Sequence, residues 1–268
     1  MNPSVELTLG PRGIATVTLN RPAVNNAYDE NLLRGLRDGV AELRENIAVR
    51  VVLVRGAGRH FQAGADLDWL RTVAAQDAAA NLAASRLTLA AVHDLCCLPQ
   101  PTIALVHGAC MGGGTGIVAA CDIVVASRDA RFAISEARWG LAATIIFPHL
   151  VAAIGTRHAR RYAQTCEVFD ADTAKHIGLV HEVCDPGALD AAAAPLIEHL
   201  LRAAPGALAE TKQGVLEAGG LQLDESALDR LAAAHAARRQ HAEAAEGIAS
   251  FAERRDATWY PGVAEAPS

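Results

Sequence analysis

The chain is short of lysine: only Lys175 and Lys212 stand among its 24 basic residues. Thirty acidic residues give it a formal net charge of −6 and an isoelectric point near 5.9. With no basic stripe, nucleic-acid or anionic-membrane binding is not expected. A clean run of about 20 apolar residues, the length a membrane helix needs, is also missing. The most apolar stretches, 102–126 and 141–154, are broken by His, Asp, Pro or a glycine cluster and read as buried core. The opening Met1-Asn2-Pro3-Ser4-Val5-Glu6 has neither the basic nor the apolar part of a secretion signal, so a cytoplasmic protein is expected. Cys96, Cys97, Cys110, Cys121, Cys166 and Cys184 form no CxxC pair, and reduced thiols acting as small hydrophobes are expected. No spacing of His, Cys, Asp or Glu suggests a metal site.

What is present is a globular composition: 268 residues, 51% hydrophobic and 20% charged, enough for a sizeable core. The first part alternates strand and helix. Ile14 to Leu19 alternates apolar and polar, as a half-buried strand does. Residues 29–46 place Leu32, Leu33, Leu36, Val40 and Leu43 on one helical stripe behind the N-cap Asp29. Strands are expected at 50–54, 102–106, 123–126 and 179–183, and helices at 81–97, 113–121 and 170–176. Beyond these the pattern is helical over 186–203, 205–218 and 223–254, with a frayed tail from Pro261. The expected organisation is α/β, with residues 1–195 as the core that carries the site and 196–268 as a helical region.

Two small-residue loops each follow a β-branched run and precede a helix. They are His60-Phe61-Gln62-Ala63-Gly64-Ala65-Asp66-Leu67 and His107-Gly108-Ala109-Cys110-Met111-Gly112-Gly113-Gly114. Backbone approaches a ligand closely only where side chains are small, and N–H groups from two such loops can converge on one developing oxyanion. No Gly-Lys-Ser/Thr follows the glycines, and Ile117 and Ala119 break the G-x-G-x-x-G spacing, so phosphate-loop readings fail. Glu136 lies between Phe132-Ala133-Ile134 and Trp139-Gly140-Leu141. A carboxylate so flanked is expected to be desolvated and to have a raised pKa, which suits proton transfer.

Gly58-Arg59-His60-Phe61-Gln62-Ala63-Gly64-Ala65-Asp66-Leu67, Gly112-Gly113-Gly114 before Cys121-Asp122-Ile123, Leu19-Asn20-Arg21-Pro22 with Asn26-Ala27, and Ala174-Lys175-His176-Ile177-Gly178-Leu179-Val180 stand in an order that resembles the enoyl-CoA hydratase/isomerase (crotonase) superfamily. The resemblance covers about residues 5 to 255. It implies a spiral of ββα units, a C-terminal helical trimerisation region, and a homotrimer or dimer of trimers. It also implies an acyl group carried as a coenzyme A thioester with no further cofactor. Ala65 and Gly113 would supply the N–H groups that hold the thioester oxygen, and Glu136 would move the proton. Val24, Ala63, Asp66, Leu67 and Gly112 would lie along the coenzyme A ester, although Asp66 reads equally as a helix cap. The phosphates would be met by Arg, given the scarcity of Lys.

The family's hydratases use two glutamates, and the position of the first is Gly116 here. An enoyl-CoA hydratase using Glu136 alone is the expected activity, with a Δ3-Δ2 enoyl-CoA isomerase or a non-catalytic CoA-ester binder as alternatives. Ser135-Glu136-Ala137-Arg138-Trp139-Gly140-Leu141 and Phe147-Pro148 resemble the branch acting on methylglutaconyl-type CoA esters, whose substrates carry a distal carboxylate. Arg138 is the expected partner of that group, with Arg71 and His149 as alternatives.

Overall fold

In the computed structural model, which describes residues 3–262, the chain opens with an antiparallel pair, β1 (Val5–Leu9) and β2 (Ile14–Leu19). Helix α1 (Glu30–Glu45) follows. Asp29 caps it by accepting from Leu32 N at 2.9 Å, and its buried stripe is the expected Leu32, Leu33, Leu36, Val40 and Leu43. β3 (Val51–Gly56) pairs parallel with β2 and leads through the first small-residue loop to α2 (Leu67–Ala74) and α3 (Ala78–Cys96). β4 (Thr102–Val106), β5 (Ala109–Met111) and α4 (Gly113–Ala119) form the next unit. β6 (Ile123–Ser127), β7 (Arg131–Ala133), a 3₁₀ turn over Glu136–Trp139 and α5 (Phe147–Thr165) form another. β8 (Phe169–Asp170), α6 (Ala171–His176) and β9 (Glu182–Cys184) complete the strands. Four helices end the chain: α7 (Leu189–Arg202), α8 (Pro205–Ala218), α9 (Glu225–Arg239) and α10 (Ala242–Glu253).

The larger sheet has the order β1-β2-β3-β4-β6-β9, and the smaller one β5-β7-β8. Each ββα unit places its first strand in the large sheet and its second in the small one: β4 then β5, β6 then β7. The stretch after β3 does the same in reduced form, because Gln62 makes a single parallel bridge to Cys110 of β5. This stepping between two sheets is the ββα spiral of the crotonase fold. The period-2 alternation of the parallel strands sends Val52, Val54, Ala104, Val106, Val124 and Ala126 into the main core. The intervening Val51, Leu53, Ile103, Leu105 and Val125 face Ala193 and its neighbours on α7.

The structure differs from the expectations at several points. The strand placed at 179–183 is Glu182–Cys184, and the helix placed at 81–97 begins at Ala78 behind its cap Asp77. β1 and α5 carried no expectation of their own. The helix expected over 223–254 is two helices. His241 caps the second by accepting from Glu243 N at 3.3 Å. The break lets α9 lie along α3 while α10 turns onto the Glu136–Trp139 turn. At that crossing a Cβ on Gly247 would overlap the Trp139 carbonyl, so two backbones meet directly. The fraying expected from Pro261 falls almost wholly outside the described residues. Among the described residues, no helix is long and apolar enough to cross a membrane.

Leu36 is fully buried at the centre of the α1 stripe. Leu36→Ala is expected to cost about 2–5 kcal/mol through lost transfer energy and the cavity left behind, read as a fall in the urea midpoint.

Candidate active site

Two buried amides fix the small-residue loops. Asn26, with no exposed surface and a left-handed φ of 58°, accepts from Arg21 N at 2.8 Å and donates to Ala57 O and His60 O at 2.8 Å each. Gln62, also without exposed surface, clamps Gly64 from both sides: it donates to Gly64 O at 2.7 Å and accepts from Gly64 N at 2.8 Å. The two loops are joined by Gln62 N to Ala109 O at 3.0 Å and Met111 N to Gln62 O at 2.9 Å.

These bonds leave specific donors over. Tyr28 bridges Ala65 through Tyr28 N to Gly64 O and Asp66 N to Tyr28 O, so the Ala65 N–H faces away from the bridge. Gly113 opens α4, where N–H groups have no intrahelical acceptor. Neither the Ala65 nor the Gly113 N–H donates to a backbone or side-chain acceptor among the described residues. Both residues line one cavity of about 310 Å³, together with Ala63, Leu67, Gly112, Glu136 and Arg138.

Glu136 enters from the 3₁₀ turn after β7. Its Oε1 lies 3.1 Å from where a Cβ on Gly112 would sit, so only glycine leaves that carboxylate undisturbed. Its Oε2 is buried without a hydrogen-bond partner. Burial drives its pKa up to about 7, and its own and Ser135's backbone N–H groups offset part of that rise. The expectation of a desolvated carboxyl therefore agrees with the geometry.

Gly116 faces the same region. A Cβ there would overlap Ile146 Cγ2 and stand 2.8 Å from Ile146 Cβ. Ile146 is 1% exposed and lines the cavity, so an apolar side chain fills the space beside Gly116.

Most of the other candidate residues lie outside the cavity wall. Val24 sits on a surface 3₁₀ turn, 42% exposed, and does not line the cavity. Asp66 caps α2 by accepting from Asp68 N at 3.0 Å and Trp69 N at 3.2 Å, and pairs with Arg21 at 3.1 Å. Arg138 does reach the cavity but is exposed, held by one long bond to Cys166 O at 3.5 Å. Arg71 pairs with Asp68 at 3.6 Å outside the cavity. His149 is fully buried beside His93, 6.0 Å between ring centroids, and is not in the cavity wall. Cys110 is fully buried, and burial raises its thiol pKa, as expected of a small hydrophobe.

Several wall residues were not anticipated. Tyr28 packs against the glycines, its Cε1 only 2.6 Å from a Cβ placed on Gly113. Burial and then the charge of Glu136 hold its phenol protonated, while Arg239 acts the other way. His235, Arg239, Ile248 and Phe251 come from α9 and α10, so the cavity draws on residues well beyond 195. Trp139 meets Phe251 edge-on at 4.4 Å between centroids and closes one side. His235 stands at helical spacing with Leu228 and Leu231, the one sequence signal for this wall.

Gly116→Ala is expected to destabilise by about 1–3 kcal/mol despite the better helix propensity of alanine, because the core is overpacked. In an Ile146→Ala background the same change becomes neutral or stabilising. Urea unfolding of the four proteins measures the coupling, and additive effects would show that Ile146 is not the obstacle.

Residues 10–261 match the family described as Enoyl-CoA hydratase/isomerase. The (7aS)-7a-methyl-1,5-dioxo-2,3,5,6,7,7a-hexahydro-1H-indene-carboxyl-CoA hydrolase of Mycobacterium tuberculosis is 37% identical over 183 residues, 68% of this chain and 71% of that one. A mitochondrial Delta(3,5)-Delta(2,4)-dienoyl-CoA isomerase of Dictyostelium discoideum is 29% identical, covering 90% of this chain and 86% of its own. The crystal structure of an enoyl-CoA hydratase from Mycobacterium avium superposes with a TM-score of 0.84 at 33% identity, covering 97% of this chain and all of the other. With these matches, the two-loop cavity and the ββα spiral, the chain belongs to the enoyl-CoA hydratase/isomerase (crotonase) superfamily.

Proposed function

We propose that the protein is an enoyl-CoA hydratase that adds water across a 2-enoyl-CoA with Glu136 as its one acid/base. The observation that carries the reading is Glu136 Oε2, buried without a partner in a cavity that also offers the free N–H groups of Ala65 and Gly113. The thioester oxygen would accept from those two donors. Glu136, ionised, would take a proton from water as hydroxide adds to C3 and the electron pair moves to the thioester oxygen. The same carboxyl would then return the proton to C2. Ala63, Leu67 and Gly112 would flank the ester from the cavity wall, and Arg138 would meet it at the rim.

Ile146 beside Gly116 favours a second reading, because a lone carboxyl also suffices for a Δ3-Δ2 isomerase that carries a proton between C2 and C4. We infer assembly as a homotrimer or dimer of trimers through the terminal helices. α8 buries none of its residues within one chain and exposes Val215 at 65%, and light-scattering mass tests the state.

The wild type and Glu136→Gln are compared on crotonyl-CoA and 3-methylglutaconyl-CoA by loss of the enoyl-thioester absorbance. Hydration by the wild type, with a fall of at least about 100-fold in the variant, is the expected result. Deuterium entering C2 and C4 without water addition would establish the isomerase. Ester binding without any turnover would leave a CoA-ester binder.

The pH profile is a separate check. A base with a pKa near 7 acts only when ionised. Activity as kcat/KM should therefore fall about tenfold per pH unit below 7 and level off above it. A profile flat from pH 5 to 8 would remove Glu136 as the base.

A further inference from the structure

Arg239 ends α9 and lines the cavity, yet it is only 1% exposed. A cation buried to this degree carries a desolvation cost of several kcal/mol unless an anion offsets it. Among the described residues its hydrogen bonds all go to neutral groups. Nη1 donates to Asn81 O at 3.3 Å and Asn81 Oδ1 at 3.4 Å, and Nη2 donates to Ser85 Oγ at 3.2 Å and His235 Nδ1 at 3.0 Å. Nε is buried with no partner. The Trp69 ring lies beneath the guanidinium, 6.0 Å from its carbon.

This seat is built rather than incidental. Asn81 and Ser85 have no exposed surface. The Asn81 amide donates to Val73 O at 2.6 Å, Gln76 O at 3.1 Å and Asp77 O at 3.2 Å, which turns its oxygen toward Arg239. His235 is held neutral: burial, and then the charge of Arg239, bring its pKa down to about 3. An imidazole accepting at Nδ1 supplies no counter-charge. Glu136 is the one carboxylate in the cavity wall, and its pKa is raised, not held down by a neighbouring cation. The arginine is thus a desolvated charge with an unused donor, in the same cavity wall as Tyr28, which itself packs on Gly113.

We propose that the acyl group of the CoA thioester carries a carboxylate at its far end, and that Arg239, with Nε as the free tooth of its fork, is the anchor for that carboxylate. The proposal rests on the reading of the cavity as an acyl-CoA site and names the substrate class within it. A single N–H of a guanidinium bonded to a carboxylate is a charge-assisted hydrogen bond, and a buried pair of that kind is strong where water is excluded. An acyl chain ending in a methyl group would cover the same charge without pairing it and so be selected against. Arg138, exposed at the rim, is the weaker anchor because water screens it.

The test uses saturated thioesters, which bind but cannot be hydrated. Glutaryl-CoA is compared with pentanoyl-CoA, and adipyl-CoA with hexanoyl-CoA, by isothermal titration of the whole protein. At least one diacid ester should bind the wild type about tenfold or more tighter than its length-matched partner. Arg239→Gln should reduce that preference to about twofold or less, chiefly through weaker binding of the diacid esters, and Arg239→Lys should retain part of it. Equal or weaker binding of both diacid esters by the wild type overturns the proposal, a result that does not depend on how the variants fold. Persistence of the preference in folded Arg239→Gln also overturns it. Diacid-selective binding without turnover of any enoyl ester would defeat the hydratase reading alone and leave the anchor standing. Failure of every CoA ester to bind would defeat both.

Discussion

The site depends on two buried amide side chains. Asn26 and Gln62 spend their hydrogen bonds on the backbone of the first loop, and the bridge from Gln62 to β5 fixes that loop against the second. Satisfying so many loop groups internally is what allows two others, the Ala65 and Gly113 N–H groups, to remain unpaired at the cavity. An irregular loop would otherwise fold those donors back onto its own carbonyls, since buried backbone groups seldom go unpaired. Preorganised donors of this kind need no rearrangement when charge develops on an oxygen between them. Removing either amide would cost more than its own bonds, because the loop would gain competing acceptors.

A second constraint is the cavity's dielectric. Ile145, Ile146, Leu70, Ala143 and Ile248 line it and leave little water around the polar groups. Three titratable groups there are accordingly displaced toward their neutral forms. Glu136 is raised, Tyr28 is raised, and His235 is lowered, with burial the largest cause in all three. Arg239 is lowered by burial too, but arginine starts too high to give up its proton. It is the one member of the set that must stay charged. A buried cation without a counter-charge gives its wall of the cavity an electrostatic preference for an anion.

The chemistry closest to the backbone was legible in the sequence. Glycine, alanine and a β-branched run before each loop are local signals, and Glu136 among apolar neighbours announced its own desolvation. The N-cap Asp29 and the α1 stripe were equally local. What escaped reading came from remote segments. Ile146 lies in a stretch that reads only as core, and nothing in its neighbourhood says that it faces Gly116. Arg239 is one of many arginines and stands directly after Arg238, which pairs instead with Glu243 and Gly140 O. The break before α10 was hidden because alanine-rich sequence favours helix on both sides of it, and only a histidine cap marks the end. Arg138 lies in the segment that resembles the methylglutaconyl-type branch, but it sits two residues beyond Glu136 on a 3₁₀ turn and emerges exposed at the cavity rim.

The two halves of the cavity therefore come from different parts of the chain. The free N–H groups of Ala65 and Gly113, and Glu136, belong to the strand–loop–helix units and are fixed by sheet geometry. The far wall belongs to α9 and α10, seated on α3 and on the Glu136–Trp139 turn. Contact at the turn is backbone to backbone at Gly247, so a shift of α10 presses on the segment that holds Glu136. On the proposed reading, activation of the thioester and recognition of the acyl end are thereby separable in sequence but joined mechanically. The wall can change its side chains, as at Arg239, without altering the donors. It cannot change its position without disturbing Glu136. On the same reading, this wall can vary acyl specificity through side chains on the inner faces of α9 and α10 while the path of both helices stays fixed.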